Sequence, residues 1–142
     1  MTADVATPDH DAVLAANHAF YRAFAARDLG AMAALWAEAD AVACIHPGWD
    51  VLIGRAAVLA SWRDIFAQPT AIACRDARAL VHGDSACVIC HEALGEGPAA
   101  GLLVATNLFV RQDGAWRLIH HQAGGIAPGA LAPPADPASR LH

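Results

Sequence analysis

The 142-residue sequence has no apolar run approaching the roughly 20 residues that a helix needs to cross a bilayer. Its nine Lys and Arg residues are scattered and leave a net charge of −5, so no basic stripe is available for a phosphate backbone. The first ten residues lack the basic and apolar regions of a secretory signal. We therefore expect a cytoplasmic protein with no membrane-spanning segment and no nucleic-acid partner.

The sequence has four cysteines, and their pattern favours no bound group. Cys87-Val-Ile-Cys90-His91 matches the Cys-x-x-Cys-His pattern of haem attachment, but it lies in an apolar, strand-like run. In a strand, residues 87 and 90 point to opposite faces, and no second Cys/His pair stands at zinc-finger spacing. The histidines form no His-x-His pair at strand spacing. We expect reduced, buried cysteines, no metal and no cofactor.

Three helices are predicted in the first half of the chain. Thr7-Pro8 is typical of a helix start, and apolar residues at helical spacing extend that helix over residues 9–27. Asp28 can cap a short second helix over residues 29–37. A third apolar stripe, from Val58 to Phe66, ends before Pro69.

Strands are predicted elsewhere, so the class is α+β. Two short extended pieces, residues 41–46 and 51–53, precede the third helix. Four longer strands follow, at residues 71–81, 85–94, 102–111 and 116–123, and Asp113-Gly114 suits the last hairpin turn. Residues 9–125 form one domain in this interpretation, with residues 1–8 as an N-terminal extension and residues 126–142 as an irregular Pro/Ala-rich tail.

The order of these elements resembles the SnoaL-like branch of the nuclear transport factor 2-like superfamily. The resemblance rests on Ala-Arg-Asp-Leu-Gly-Ala-Met-Ala-Ala-Leu-Trp at residues 26–36, His46-Pro47-Gly48, Gly54-Arg55, Ser61-Trp62 and the final hairpin with Trp116. It implies a cone, in which a strongly curved mixed sheet wraps round the long first helix and opens onto an apolar cavity. Relatives include isomerases, cyclases, dehydratases and binding modules, so the fold does not settle the function.

Three positions carry catalytic groups in the steroid isomerase relatives, and all three differ here. The resemblance places His46 where those relatives keep a carboxylate base and Asn107 where they keep a neutral acid. Their first-helix tyrosine falls nearest Phe20, with Tyr21 one residue away. A histidine can still abstract a proton and an amide can stabilise an enolate, so we take His46 and Asn107 as candidate catalytic residues.

Other candidate ligand-binding residues follow from burial patterns. Asn107 stands in an otherwise apolar strand, where an amide needs a partner. His91 and Glu92 point to opposite faces, and strand alternation favours His91 for the inner face. Alternation along the last strand places His120, rather than His121, towards the pocket. The aromatic candidates for the pocket walls are Phe20, Tyr21, Trp49 and Trp62.

Two hypotheses for the function remain open. The first is a pocket protein that binds a small apolar ligand in the cone without turnover. The alternative is a cofactor-free isomerase, cyclase or dehydratase of an apolar carbonyl compound, with His46 as base and Asn107 as donor. In either case, the strands after Ala71 carry apolar residues on both faces, and we expect a homodimer formed through the sheet.

Overall fold

The computed structural model describes residues 7–38, 41–96, 101–127 and 129–130. Three helices and six strands follow one another along the chain. They are α1 (Pro8–Ala26), α2 (Leu29–Leu35), β1 (Ala43–Ile45), β2 (Leu52–Ile53), α3 (Arg55–Phe66), β3 (Ile72–His82), β4 (Ser85–Leu94), β5 (Gly101–Gln112) and β6 (Ala115–Gly125). The predicted number, order and type of these elements are confirmed. None of the described helices is long and apolar enough to cross a membrane.

Local sequence signals fix the ends of the first two helices. The Thr7 side chain accepts a hydrogen bond from the His10 amide at 3.1 Å, and Pro8 opens α1. Arg27 closes α1 in the left-handed conformation, with a φ of 54°. Asp28 then caps α2 by accepting a hydrogen bond from the Ala31 amide. These caps turn the chain sharply, so α2 packs back against α1.

The strands form one six-stranded mixed sheet in the order β2-β1-β6-β5-β4-β3. Only β1 and β6 run parallel among these pairs, and the other neighbours are antiparallel. The sheet is curved and does not close on itself, which confirms the α+β cone. Helix α1 packs across its inner face, against β3, β4 and β6. The inner face is therefore the side of the sheet that the helices cover.

A β-bulge in β6 decides which side chains reach that inner face. Leu108 pairs with His120, whereas the next residue, Phe109, pairs with Leu118, so Ile119 is an extra residue. One extra residue shifts the alternation of side chains along the rest of the strand. Leu118 and His121 are consequently both buried, although their numbers differ by three.

The core lies between α1, α3 and the inner face. Its largest members are Trp36, Trp62, Phe20, Phe109 and Met32, all less than 2% exposed. Of the predicted tail, residues 128 and 131–142 lie outside the described residues, as do residues 1–6 of the N-terminal extension. The domain limits at residues 9–125 remain predictions.

Candidate functional site

Polar side chains concentrate at the centre of the inner face, under α1 and α3. Seven of them are at most 5% exposed, and we call this group the inner polar cluster: Asn17, Tyr21, His46, Ser61, Glu92, Asn107 and His121. A polar group buried without a partner costs about 1–3 kcal/mol or more, so their pairing has to be accounted for atom by atom.

Asn107 is the hub of this cluster. Its Nδ2 group donates to Asn17 Oδ1 at 2.9 Å and to the Tyr21 hydroxyl at 3.2 Å. Its Oδ1 atom lies 2.5 Å from Nδ1 of His121. An amide oxygen can only accept a hydrogen bond, so Nδ1 of His121 carries the ring proton. Nε2 of His121 is then left as a proton acceptor.

Glu92 extends the cluster on the other side of Tyr21. The Tyr21 hydroxyl donates to Glu92 Oε2 at 2.6 Å, and the same oxygen lies 3.8 Å from Nε2 of His121. Burial raises the pKa of Glu92 and outweighs the opposing effect of the Tyr21 hydrogen bond. Burial first, and the nearby Glu92 second, raise the pKa of Tyr21 as well. Both groups are thus favoured in their neutral, protonated forms.

The two buried histidines are neutral for the same reason. Burial lowers the pKa of His46 to about 4 and that of His121 to about 3, with repulsion from His46 and His120 adding to the effect on His121. Ser61 donates to the Val58 carbonyl at 2.6 Å, so its oxygen accepts from Nε2 of His46 at 2.9 Å. Nδ1 of His46 is the remaining acceptor, and it lies 3.9 Å from Cys44 Sγ.

Aromatic rings from α1 and α3 enclose these imidazoles. Trp62 lies edge-on to His46, with ring centroids 4.8 Å apart, and 5.7 Å from His121. Phe20 stands 5.0 Å from His121 and 5.6 Å from Trp62. Trp62 is fully buried, yet its indole Nε1 has no hydrogen-bond partner among the described residues. One unused donor, the Trp62 N–H group, thus lies beside the two imidazoles of the cluster.

Trp49 covers the outer end of the cluster. It follows Gly48, whose φ of 81° turns the chain directly after β1, and its amide donates to the His46 carbonyl at 2.9 Å. The indole packs on the His46 ring at 4.8 Å but remains 44% exposed. Trp49 therefore separates His46 from solvent with a side chain that is held on one side only.

Two thiols lie at the opposite end of the cluster. Cys90 Sγ is 3.3 Å from the Tyr21 hydroxyl, and Cys74 Sγ accepts from Asn17 Nδ2 at 3.6 Å. Among the described residues all four cysteines are free; Cys44 and Cys90 are buried, as expected, whereas Cys74 and Cys87 are half-buried.

The structure brings most of the predicted site residues together. His46 and Asn107 belong to one buried cluster, in which His121 hydrogen-bonds to Asn107 and lies 6.2 Å from the His46 ring. Tyr21 and Trp62 lie beside them, and their role as walls of a ligand pocket remains a prediction. The hydrogen-bond partners of Asn107 are all side chains of this chain, however, so its amide already has partners without a ligand. Catalytic or ligand-binding roles for these residues remain predictions.

Two predicted orientations are wrong. His120 is on the outer side of β6, and His121 takes the inner position, because the bulge at Ile119 shifts the alternation. On β4, His91 points outward to Asp76, 3.4 Å away, whereas Glu92 is buried. A carboxylic acid can occupy the inner face because the Tyr21 hydroxyl meets it there.

Sequence reasoning missed four members of the cluster: Asn17, Ser61, Glu92 and His121. For Asn17 a signal was present, since it lies four residues after Val13 and four before Tyr21 on the apolar face of α1. Ser61 similarly lies on the buried side of α3, three residues after Val58. Polar residues within an apolar helical stripe would have indicated the cluster without any strand register.

A groove of about 530 Å³ lies elsewhere, at the end of the β5–β6 hairpin, and shares no residue with the inner polar cluster. It is lined by Ala34, Trp36, Glu38, Gln112, Asp113 and Arg117. We favour the cluster as the site because its polar groups are buried and chemically organised, whereas the groove is open to solvent. Within the described residues, no group of three His, Cys, Asp or Glu side chains is placed to hold a metal ion.

Known proteins resemble this chain over most of its length. The F-box protein SKIP8 of Arabidopsis thaliana is 30% identical over 114 residues, which are 79% of this chain and 48% of that protein. The chain thus spans about half the length of this curated relative.

Two solved structures combine the same fold with higher identity. A proposed dehydratase of the NTF2-like family from Streptomyces avermitilis is 38% identical, with a TM-score of 0.75 over 84% of this chain and 99% of that one. A proposed calcium/calmodulin-dependent protein kinase type II association domain from Thiobacillus denitrificans is also 38% identical, with a TM-score of 0.73 over 84% and 95%. The SnoaL-like domain model matches residues 13–127. The chain therefore belongs to the SnoaL-like family.

Proposed function

We propose that the protein binds a small, uncharged and largely apolar ligand at the inner polar cluster. The observation that carries the proposal is the buried indole N–H of Trp62, which has no partner among the described residues and lies beside two neutral imidazoles. A hydroxyl or carbonyl group of a ligand would accept from this donor. The rings of Phe20 and Trp62 would contact its apolar part.

The charge state of the cluster selects against ions. Burial lowers the pKa values of His46 and His121 to about 4 and about 3, so neither imidazole is charged near neutral pH, and burial raises the pKa of Glu92, which favours its neutral form. An anion would find no cation to pair with at these positions, and burial disfavours the carboxylate that a cation would need. A buried ion without a partner is costly, so an uncharged ligand is the class that fits.

A ligand can reach the inner polar cluster only if Trp49 moves, because this residue separates His46 from solvent. Its indole is 44% exposed and contacts the His46 ring on one side. Swinging it outward would open a path to Nδ1 of His46 and to the Trp62 indole. We therefore propose that Trp49 acts at the entrance and that Trp62 binds the ligand directly.

Naphthol provides a suitable probe, because it joins a flat apolar ring to one hydroxyl. The chain has four tryptophans, so four indole N–H signals can be followed by NMR and assigned with Trp→Phe variants. We expect naphthol to shift the Trp62 signal downfield and the Trp36 signal hardly at all. Trp36 is a matched control, since its indole is also buried and unpartnered among the described residues but lies outside the cluster.

Two related probes complete this experiment. Naphthalene lacks the hydroxyl and naphthoate carries a negative charge, so both should bind more weakly than naphthol. Equal shifts with naphthoate would contradict the selection against ions. A Trp62 signal that none of the probes moves, while Trp36 shifts, would assign binding to the groove at the β5–β6 hairpin instead.

A second candidate function is proton transfer, and one observation favours it. Nε2 of His121 is a neutral acceptor 3.8 Å from Oε2 of Glu92, and burial raises the pKa of that carboxyl, which favours its proton-donating form. His46 remains a candidate base through Nδ1. The proposed role of Asn107 changes, since its amide hydrogens are given to Asn17 and Tyr21, and it would orient His121 instead. Deuterium exchange from the α carbon of a cyclic ketone, lost in His46→Gln or His121→Gln, would support turnover.

We also propose that the protein forms a homodimer through the outer face of its sheet. Leu80, Ile89 and Val104 lie there on neighbouring strands, and each is at least 40% exposed. A second copy would cover such a patch, which is unusual on the surface of a monomer. The similar protein from Thiobacillus denitrificans is named as an association domain, which supports this choice of occupant. A cytoplasmic location remains a proposal, to which the four free thiols are suited.

A further inference from the structure

Cys44 and His46 form a buried thiol–imidazole pair at the end of the inner polar cluster that Trp49 covers. The two residues are two positions apart on β1, so their side chains point to the same face of the sheet. Cys44 Sγ lies 3.6 Å from Nε2 and 3.9 Å from Nδ1 of His46. The thiol is fully buried, and neither of the functions proposed above uses it.

A third side chain orients the imidazole of this pair. The Nε2–H group of His46 donates to the Ser61 hydroxyl at 2.9 Å, which leaves the lone pair of Nδ1 free to take the thiol proton. A nucleophile within reach of a base, and a third group that orients the base, is the arrangement of an activated nucleophile. Such contacts are often long in a free protein and shorten when a substrate is bound.

The same corner of the cluster offers a donor for a carbonyl oxygen. The ring of Trp62 lies 4.8 Å from that of His46, and its buried indole N–H has no partner among the described residues. A carbonyl group that accepts from this donor loses electron density to it. If the carbonyl is conjugated to a C=C bond, the β carbon becomes the electrophilic centre of the ligand.

We propose that Cys44 is a nucleophile that adds to uncharged α,β-unsaturated ketones held at the inner polar cluster, with His46 as the base. The thiol proton moves to Nδ1 of His46, and the sulfur forms a bond to the β carbon. The C=C electrons shift towards the carbonyl oxygen, which accepts from the Trp62 N–H group. The α carbon then takes the proton back from His46, so the product is a saturated thioether ketone and nothing is released. This inference rests on the proposed function, because the cluster has to bind the ketone first.

Burial keeps this pair unreactive until a ligand is bound. It raises the pKa of Cys44 to about 12 and lowers that of His46 to about 4, so both groups are neutral in the free protein. A neutral, buried thiol reacts slowly with reagents in solution. Reaction therefore depends on an electrophile held beside the sulfur, where proximity replaces a random encounter.

The test is alkylation of the full chain by cyclohexenone, followed by intact-mass spectrometry and peptide mapping. Acrylate is the charged comparison, and N-acetylcysteine in the same solution is the exposed reference thiol. We expect the preference for cyclohexenone over acrylate to be about tenfold greater at Cys44 than at the reference. Cyclohexanone, which lacks the C=C bond, should slow alkylation of Cys44 by competition and leave the reference rate unchanged.

Variants separate the roles of the residues. Cys44→Ser should remove the adduct from its peptide, and Cys87→Ser is the control that should retain it, since Cys87 lies outside the cluster. His46→Gln should slow alkylation of Cys44 by about tenfold or more, with circular dichroism as the check on folding. If that variant does not fold, Ser61→Ala keeps the imidazole, removes its partner, and should slow the reaction several-fold. Trp49→Ala should accelerate it several-fold by opening the entrance.

Two results would overturn the proposal. One is an unmodified Cys44 after the reference thiol has reacted completely with cyclohexenone. The other is a rate at Cys44 that neither His46→Gln nor Ser61→Ala lowers. If naphthol shifts the Trp62 signal but Cys44 stays unmodified, the nucleophile fails and the proposed binding function stands. If Cys44 shows the same preference as the reference and cyclohexanone does not compete, the reaction does not use the cluster and both proposals fail.

Discussion

The two faces of one sheet each carry side chains that are unusual at such positions. On the inner face, Asn107, Glu92 and His121 are polar and at most 2% exposed. On the outer face, Ile89 and Val104 are apolar and at least 40% exposed. Each arrangement is unfavourable for an isolated chain unless something compensates for it.

The two faces differ in what offsets the cost of their buried polar or exposed apolar side chains. The inner polar groups satisfy one another through hydrogen bonds that join α1, β4, β5 and β6. The apolar side chains of the outer face stay exposed in one chain, because no described helix or strand packs over them. The polar groups of the inner face are thus paired within one chain, apart from the Trp62 indole, whereas we propose that a second copy covers the outer face.

The inner face should be the more sensitive to a single substitution. Asn107→Leu removes three hydrogen bonds and leaves Asn17, Tyr21 and His121 without their shared partner. We expect the free energy of unfolding to fall by about 3–5 kcal/mol in urea titrations. Thr106→Val, at the neighbouring outward position of β5, should change it by less than about 0.5 kcal/mol. If both variants lose a similarly small part of the free energy of unfolding, Asn107 is not the hub of the cluster.

The outer face should control assembly rather than folding. Ile89→Lys with Val104→Lys places two charges in the proposed interface, at positions already open to solvent in one chain. Light scattering should show a dimer for the parent protein and a monomer for the variant, with nearly unchanged circular dichroism. Ala25→Lys, on the exposed side of α1, is the control and should remain dimeric. A parent protein that is monomeric at micromolar concentration would refute the dimer.

Acid should weaken the inner face. The pKa values of His46 and His121 are lowered to about 4 and about 3 by burial, whereas an unfolded histidine titrates near its ordinary value of about 6.5. Between these values the unfolded chain binds more protons than the folded one, so stability is lost as the pH falls from about 6.5 towards 4. Thermal melts across this range should show a loss that is smaller in His46→Gln. The exposed His18, replaced by Gln, should leave the loss unchanged.

A smaller effect of opposite sign is expected from Glu92. Its raised pKa means that the folded chain retains a proton that the unfolded chain releases above its own pKa of about 4.3. Stability from this group is therefore lost as the pH rises. Glu92→Gln keeps an acceptor for Tyr21 and has no proton to retain, so its Tm should exceed that of the parent by a few degrees at pH 8. A lower Tm at pH 8 would indicate that Glu92 is ionised in the folded protein.

The sequence predicted the ends of the helices and the last hairpin because these features depend on local signals. Thr7-Pro8, Asp28 and the apolar stripe that ends before Pro69 mark helix ends, and the Asp113-Gly114 turn marks the last hairpin. Asn107 was identified because an amide in an apolar strand is conspicuous. Each of these signals is contained in a few neighbouring residues.

Side-chain orientation depended on information that the sequence does not carry locally. The bulge at Ile119 arises from pairing between β5 and β6, and it reversed the choice between His120 and His121. The choice between His91 and Glu92 depended on Tyr21, 71 residues earlier, whose hydroxyl makes a buried carboxyl acceptable. Neither contact follows from alternation along one strand.

The protonation of the two buried imidazoles tests most directly whether the inner face holds neutral donors and acceptors in fixed positions. Ring ¹⁵N shifts of His46 and His121 can be measured by NMR between pH 5 and 8 and assigned with the Gln variants. Hydrogen-bond accounting predicts two neutral rings throughout, with the proton on Nδ1 of His121 and on Nε2 of His46. An imidazolium form of either ring at pH 6, or the opposite tautomer of His121, would contradict this account.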